Sequence, residues 1–134
     1  MPKKQLIPND HPLLIGVIHL LPLPGSPRSD GDIDKIIRSA LADAFAYAEG
    51  GADALIMENF GDIPFSKGAV APETVAAMAV AGATVRAAIE LPLGFNVLRN
   101  DGLSALALCA ACGGNFIRIN VLSGAMVTDQ GVIE

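Results

Sequence analysis

Asn115–Glu134 reads NFIRINVLSGAMVTDQGVIE, and its first eight residues decide the fold. Phe116, Ile117, Ile119, Val121 and Leu122 form an apolar run with Arg118 and Asn120 set between them. A run of this kind, broken at Ser123-Gly124, predicts a buried strand. Its C-terminal end delivers polar side chains into a loop carrying Thr128, Asp129 and Gln130.

Working outward, the same unit recurs. GGADALIMEN (Gly50–Asn59) parallels GGNFIRIN (Gly113–Asn120), in each case two glycines that end a helix, then an apolar strand, then an amide. The remaining strands are Leu13–Leu21 (LLIGVIHLL) and Leu91–Val97 (LPLGFNV). Between them, Ile33–Glu49 keeps the 3-and-4 apolar spacing of one helix face, with Asp30 or Asp32 as its cap. Pro72–Glu90 opens with proline in its first turn, and Gly102–Ala111 follows Asn100 or Asp101. The prolines of PLPGSPRSDG (Pro22–Gly31) make that segment a loop, and Asn59–Ala71 is the longest loop.

The order is therefore βαβαβαβ. Right-handed crossovers make the sheet parallel and collect the polar strand ends at one edge. No Gly-x-Gly-x-x-Gly follows the first strand, which disfavours a dinucleotide-binding doubly wound sheet. The favoured architecture is half of an eight-stranded α/β (TIM) barrel, one incomplete domain over residues 1–134. Such a half has two unpaired edge strands, which invite pairing. Either a second copy closes the barrel, or a C-terminal half does; the stop at Val132-Ile133-Glu134, within a loop, favours the latter.

Composition narrows the function classes. Apolar residues make up 51%, charged residues 17% and aromatics 4%, so the interior is built from small aliphatic side chains. A formal charge of −5 and no Lys/Arg-rich run argue against nucleic-acid binding and against an electrostatic membrane anchor. The apolar stretches fall short of a membrane span, and the N-terminus lacks a secretory apolar segment; the expectation is a cytoplasmic protein. Cys109 and Cys112, spaced CxxC, sit in the last turn of a helix rather than at its start, so they read as small core residues.

Four motifs in order, GVIHLLPLPGSP (Gly16–Pro27), ADALIMENFGDIPF (Ala52–Phe65), LGFNVLRND (Leu93–Asp101) and FIRINVLSGAMVTDQGVIE (Phe116–Glu134), resemble the BtpA/SgcQ family over nearly the whole chain. The resemblance implies a TIM barrel of about twice this length, in the neighbourhood of the ribulose-phosphate-binding barrels, of which this is the N-terminal half. It also implies a link to photosystem I biogenesis in phototrophs, with peripheral thylakoid association there. Members in other bacteria, one in a sugar-utilisation operon, imply a chemistry beyond light harvesting.

The strand ends supply the candidate site. His19 and Glu58, with Asp129 from the last loop, are the candidate acid–base residues. Glu58 ends an apolar strand, where a carboxylate needs a partner; Arg118 and Lys67 are the candidates. Asn59, Asn96, Arg99, Arg118 and Asn120 are the candidate substrate-binding residues, the amides for hydroxyls and the guanidiniums for a carboxylate or phosphate. Asn100 and Asp101 read as loop and helix cap. No metal-ligand spacing, phosphate loop or nucleophile elbow occurs, so no cofactor is implied. The functional expectations are a photosystem-related BtpA-like protein, a barrel acting on a small polar sugar or nucleoside, free or phosphorylated, or an inactive structural piece. Phe60 and Phe65 are read as contacts for a partner.

Overall fold

The computed structural model describes residues 10–134. The proline-containing lead-in, Pro2–Pro12, therefore lies mostly outside the described residues. The elements are β1 (Ile15–His19), α1 (Ile33–Glu49), β2 (Ala54–Glu58), α2 (Pro72–Ala88), β3 (Leu93–Asn96), α3 (Gly102–Cys112) and β4 (Phe116–Ile117), followed by β5 (Met126–Thr128) and β6 (Gly131–Ile133).

β1 to β4 form one parallel sheet in the order β1-β2-β3-β4. The order never reverses, so the sheet of the described residues shows no switch point of a doubly wound fold. It has the α/β architecture of half a TIM barrel. The register places Ile18, Met57, Phe95 and Ile117 in one lateral row, and Val17, Ile56, Gly94 and Phe116 in the row of opposite parity. All three helices cover the first row's face. Ile36, Ala40 and Ala44 of α1, Met78, Ala81 and Val85 of α2, and Ala105 and Leu108 of α3 form one cluster with it.

Local chemistry sets the element ends. Asp32 caps α1 by accepting from the Lys35 N–H at 2.9 Å, and Asp101 caps α3 by accepting from Ser104 at 3.0 Å. Of the two glycines after α1, Gly50 keeps right-handed backbone while Gly51 takes φ +87°, so Gly51 makes the left-handed turn. Gly94 answers to space instead: a Cβ there would collide with the Phe116 ring, which crosses β3 at that point. Tyr47 of α1 lies across Gly16 and donates its hydroxyl to the Val17 carbonyl at 3.0 Å.

Two expectations change. The fourth strand pairs only at Phe116 and Ile117, because Arg118 gives β3 its last backbone bond (to the Phe95 carbonyl, 3.0 Å) and the chain then turns away. The expected polar loop is a hairpin: Met126↔Ile133, Val127↔Val132 and Thr128↔Gly131 pair antiparallel around Asp129-Gln130. Gly131 at φ +99° supplies the positive φ that so tight a connection needs.

Candidate functional site

Parallel register fixes the face on which each strand-end side chain stands. His19, Glu58 and Asn96 are lateral partners at the C-terminal ends of β1, β2 and β3, so all three stand on the face away from the helices. Arg118 joins them from the residue after β4. Its Nη1 donates to Glu58 Oε1 at 3.0 Å, and His19 Nε2 lies 3.6 Å from Glu58 Oε2. The first is a charge-assisted hydrogen bond; the second is ion-pair distance only, and only for a protonated ring. The Glu58 side chain is 6% exposed while those of His19 and Arg118 are about half exposed, so a buried acid is flanked by two side chains that reach solvent. Glu58 thus has Arg118, not Lys67, as its cationic hydrogen-bond partner. The His19 ring stacks on Phe60 with centroids 4.4 Å apart, so Phe60 orients the imidazole; Phe60 in turn meets Phe65 at 6.2 Å.

The amides tie β3 to the segment after β4. Asn96 Nδ2 donates to the Arg118 carbonyl at 2.9 Å and to Asn120 Oδ1 at 3.3 Å, and Asn120 Nδ2 donates to the Arg99 carbonyl at 2.9 Å. Asn100 exchanges two bonds with the Val121 backbone. The carbonyl of Arg118 can only accept, so it fixes which end of the Asn96 amide carries nitrogen. Asn96 is 1% exposed, and its Oδ1 has no partner among the described residues.

The other candidates lie apart from this cluster. Asn59 has the opposite parity to Glu58 and is spent on structure: its Oδ1 accepts from the Leu98 N–H at 2.7 Å and its Nδ2 donates to the Leu98 carbonyl at 3.3 Å. Asp129, at the hairpin tip, is largely exposed and reaches Arg99 Nη2 at 3.4 Å. That pair belongs to the rim and not to the His19–Glu58–Arg118 group. Asp101 is cap and brace together, accepting also from Val70 N–H and the Ser104 hydroxyl. Burial pushes its carboxyl up, but the Ser104 hydroxyl and the two backbone donors outweigh that and hold it below the ordinary value.

Beside the cluster, on the helix side, a cleft of about 120 Å³ opens between the β1–α1 and β2–α2 loops, lined by Ser26, Asn59, Asp62, Phe65 and Thr74 among others. Burial pushes the Asp62 carboxyl up there. Both thiols of the CxxC pair are unbridged and raised by burial, in keeping with core residues. Among the described residues no three His, Cys, Asp or Glu side chains gather as a metal site, and no helix is long and apolar enough to cross a membrane.

Sequence reasoning missed the hairpin, the Asn100–Val121 exchange and the bond from His11 Nε2 to Asp53 Oδ1 at 2.9 Å. Only the hairpin had a signal: MVT and GVI flank a two-residue polar connection followed by glycine.

A protein of Pyrococcus furiosus without a functional name is 52% identical over 121 residues, 90% of this chain and 46% of its own length. The Synechocystis protein named Photosystem I biogenesis protein BtpA is 49% identical, over 92% of this chain and 43% of its own. A mitochondrial Caenorhabditis elegans protein is 30% identical, over 97% and 49%. The chain thus spans about half the length of the curated relatives it matches. No solved structure matches. The BtpA family model matches residues 10–134, and the chain belongs to the BtpA family.

Proposed function

We propose that this chain carries one half of the ligand site of a BtpA-type α/β barrel. Glu58 is its proton acceptor, His19 its proton shuttle, and Arg118 and Asn96 hold the ligand. The observation that carries this reading is a glutamate side chain only 6% exposed at a strand end, its carboxylate flanked by His19 at 3.6 Å and Arg118 at 3.0 Å. A buried charge is costly, and a scaffold would place a neutral residue there. The ligand is a small polar molecule such as a sugar or nucleoside, and the second half of the barrel, from the same polypeptide or a second copy, closes the mouth over it. Asp129 and Arg99 then stand at the rim as hairpin anchors.

The identity shared with the Synechocystis protein favours a cellular role in photosystem I biogenesis where the host is a phototroph, acting from the surface of the thylakoid. The test is complementation of a Synechocystis strain lacking its own BtpA by the full native polypeptide carrying this chain. Photosystem I is expected to recover with the native sequence and to fail with His19→Gln or Glu58→Gln at unchanged circular dichroism. Recovery with both variants would remove the site from the function.

A further inference from the structure

The chain order across the sheet gives Arg118 an unusual path. Glu58 ends β2, Arg118 follows β4, and Asn96, at the end of β3, is the strand residue between them. Two strand spacings are roughly 10 Å. The Arg118 side chain therefore reaches past Asn96 to put Nη1 on Glu58, and the resulting bridge roofs a side chain that is 1% exposed. Under that roof Asn96 Oδ1 accepts from no described residue, its amide orientation being fixed by the Arg118 carbonyl on the other side. A buried acceptor without a donor is costly and rare.

The roof is held at one corner. Glu58 takes a single guanidinium nitrogen, and more than half of the Arg118 side chain is in solvent. A planar guanidinium prefers a forked, two-point anion. Drawing Arg118 off, however, strips a buried carboxylate of its hydrogen-bond partner, and His19 at 3.6 Å is too far to replace it by a hydrogen bond. An anion alone therefore gains at Arg118 what it loses at Glu58. A hydroxyl alone finds both acceptors roofed over.

We infer that the site takes a small oxyanion bearing a neighbouring hydroxyl, its anion drawing Arg118 away from Glu58 and its hydroxyl donating its one proton to the uncovered Glu58 carboxylate or to Asn96 Oδ1. This rests on the reading of the strand ends as a ligand site and names the class of ligand. The oxyanion is a carboxylate or a phosphate; both present the fork that Arg118 fits.

The experiment is calorimetric titration of the full native polypeptide with two pairs of probes, glycolate against acetate and glycerol phosphate against inorganic phosphate, with ethylene glycol and glycerol as uncharged controls. In at least one pair the hydroxylated anion should bind ten-fold or more tighter than its partner, and the uncharged controls should not bind at 50 mM. Which pair responds tells carboxylate from phosphate. Arg118→Gln should remove that binding and Arg118→Lys should weaken it by at least five-fold. Should Arg118→Gln fail to fold, the ¹⁵Nε signal of Arg118 in the native protein must shift on adding the preferred probe. No hydroxyl preference in either pair, or an Arg118 signal indifferent to the bound probe, overturns the inference. If that happens while Glu58→Gln still fails to restore photosystem I, the ligand class is wrong and the site reading stands.

Discussion

β2 and β4 begin alike and end differently. Each follows a helix-ending Gly-Gly pair, Gly50-Gly51 or Gly113-Gly114, and each is written in aliphatic and aromatic residues. Yet all five residues of β2 are buried, while the two of β4 are half-buried and the segment beyond carries Leu122 and Val127 about 80% exposed. Among the described residues β2 has a strand on either side, and β4 has β3 alone. Burial here is decided by neighbours more than by composition. A strand whose second side is open keeps only as much ladder as its one partner enforces.

Removing one aromatic from each region separates the two environments most strongly. Phe95, fully buried in β3, should cost about 3–5 kcal/mol as Phe95→Ala. Phe116→Ala on β4 should cost roughly half as much, its ring being partly wet already. Urea midpoints at constant slope measure both, and equal losses would mean that β4 is as well packed as the interior. Next comes the crossing of the two regions. Gly94→Ala should cost about 1–3 kcal/mol by pressing on the Phe116 ring, and much of this should vanish in the Phe116→Ala background. An additive cycle would separate the two sites.

Smaller is the effect of Asp101, which ties the β3–α3 loop to Val70. Asp101→Ala should cost about 1–2 kcal/mol near neutral pH. Its folded pKa lies below the ordinary aspartate value, so the carboxylate's contribution is present above that ordinary value and lost as pH falls through the folded one. The stability gap between native protein and Asp101→Asn should accordingly close in acid. Smallest is His11, exposed and raised by its bonds to Asp53 and then Asp10. A raised pKa works the other way: the attachment is complete below the usual value of 6.5 and loosens as pH rises through the folded one. The Leu14 amide, bonded to Asp53 Oδ2 at 2.9 Å, should lose protection over that interval relative to a His11→Gln control.

What could be read in the sequence was what short-range chemistry dictates. Ala54–Glu58 and Ile33–Glu49 come out with the expected bounds, because an apolar run between glycine and an amide, or a 3-and-4 stripe behind a capping Asp32, has few other ways to fold. Glu58 was legible as a carboxylate in need of a cation for the same reason. Pairing choices were not legible. Whether Asn59 faces ligand or loop depends on one residue of strand parity, and whether Arg118 reaches Glu58 depends on which strand lies between. The extent of β4 was overread because nothing local says where a partner strand stops.

The Tyr47 phenol carries one last implication. Leu14 and Leu20 exchange backbone bonds with β2, so by alternation the Val17 carbonyl faces the open flank of β1. Tyr47 occupies that acceptor. Any extended segment that seeks to extend the sheet at β1 must first displace a phenol seated against glycine, whereas at β4 the Phe116 carbonyl meets only the weak Cys109 thiol donor, at 3.8 Å. The molecule is lopsided toward addition: guarded at its first strand, receptive at its last.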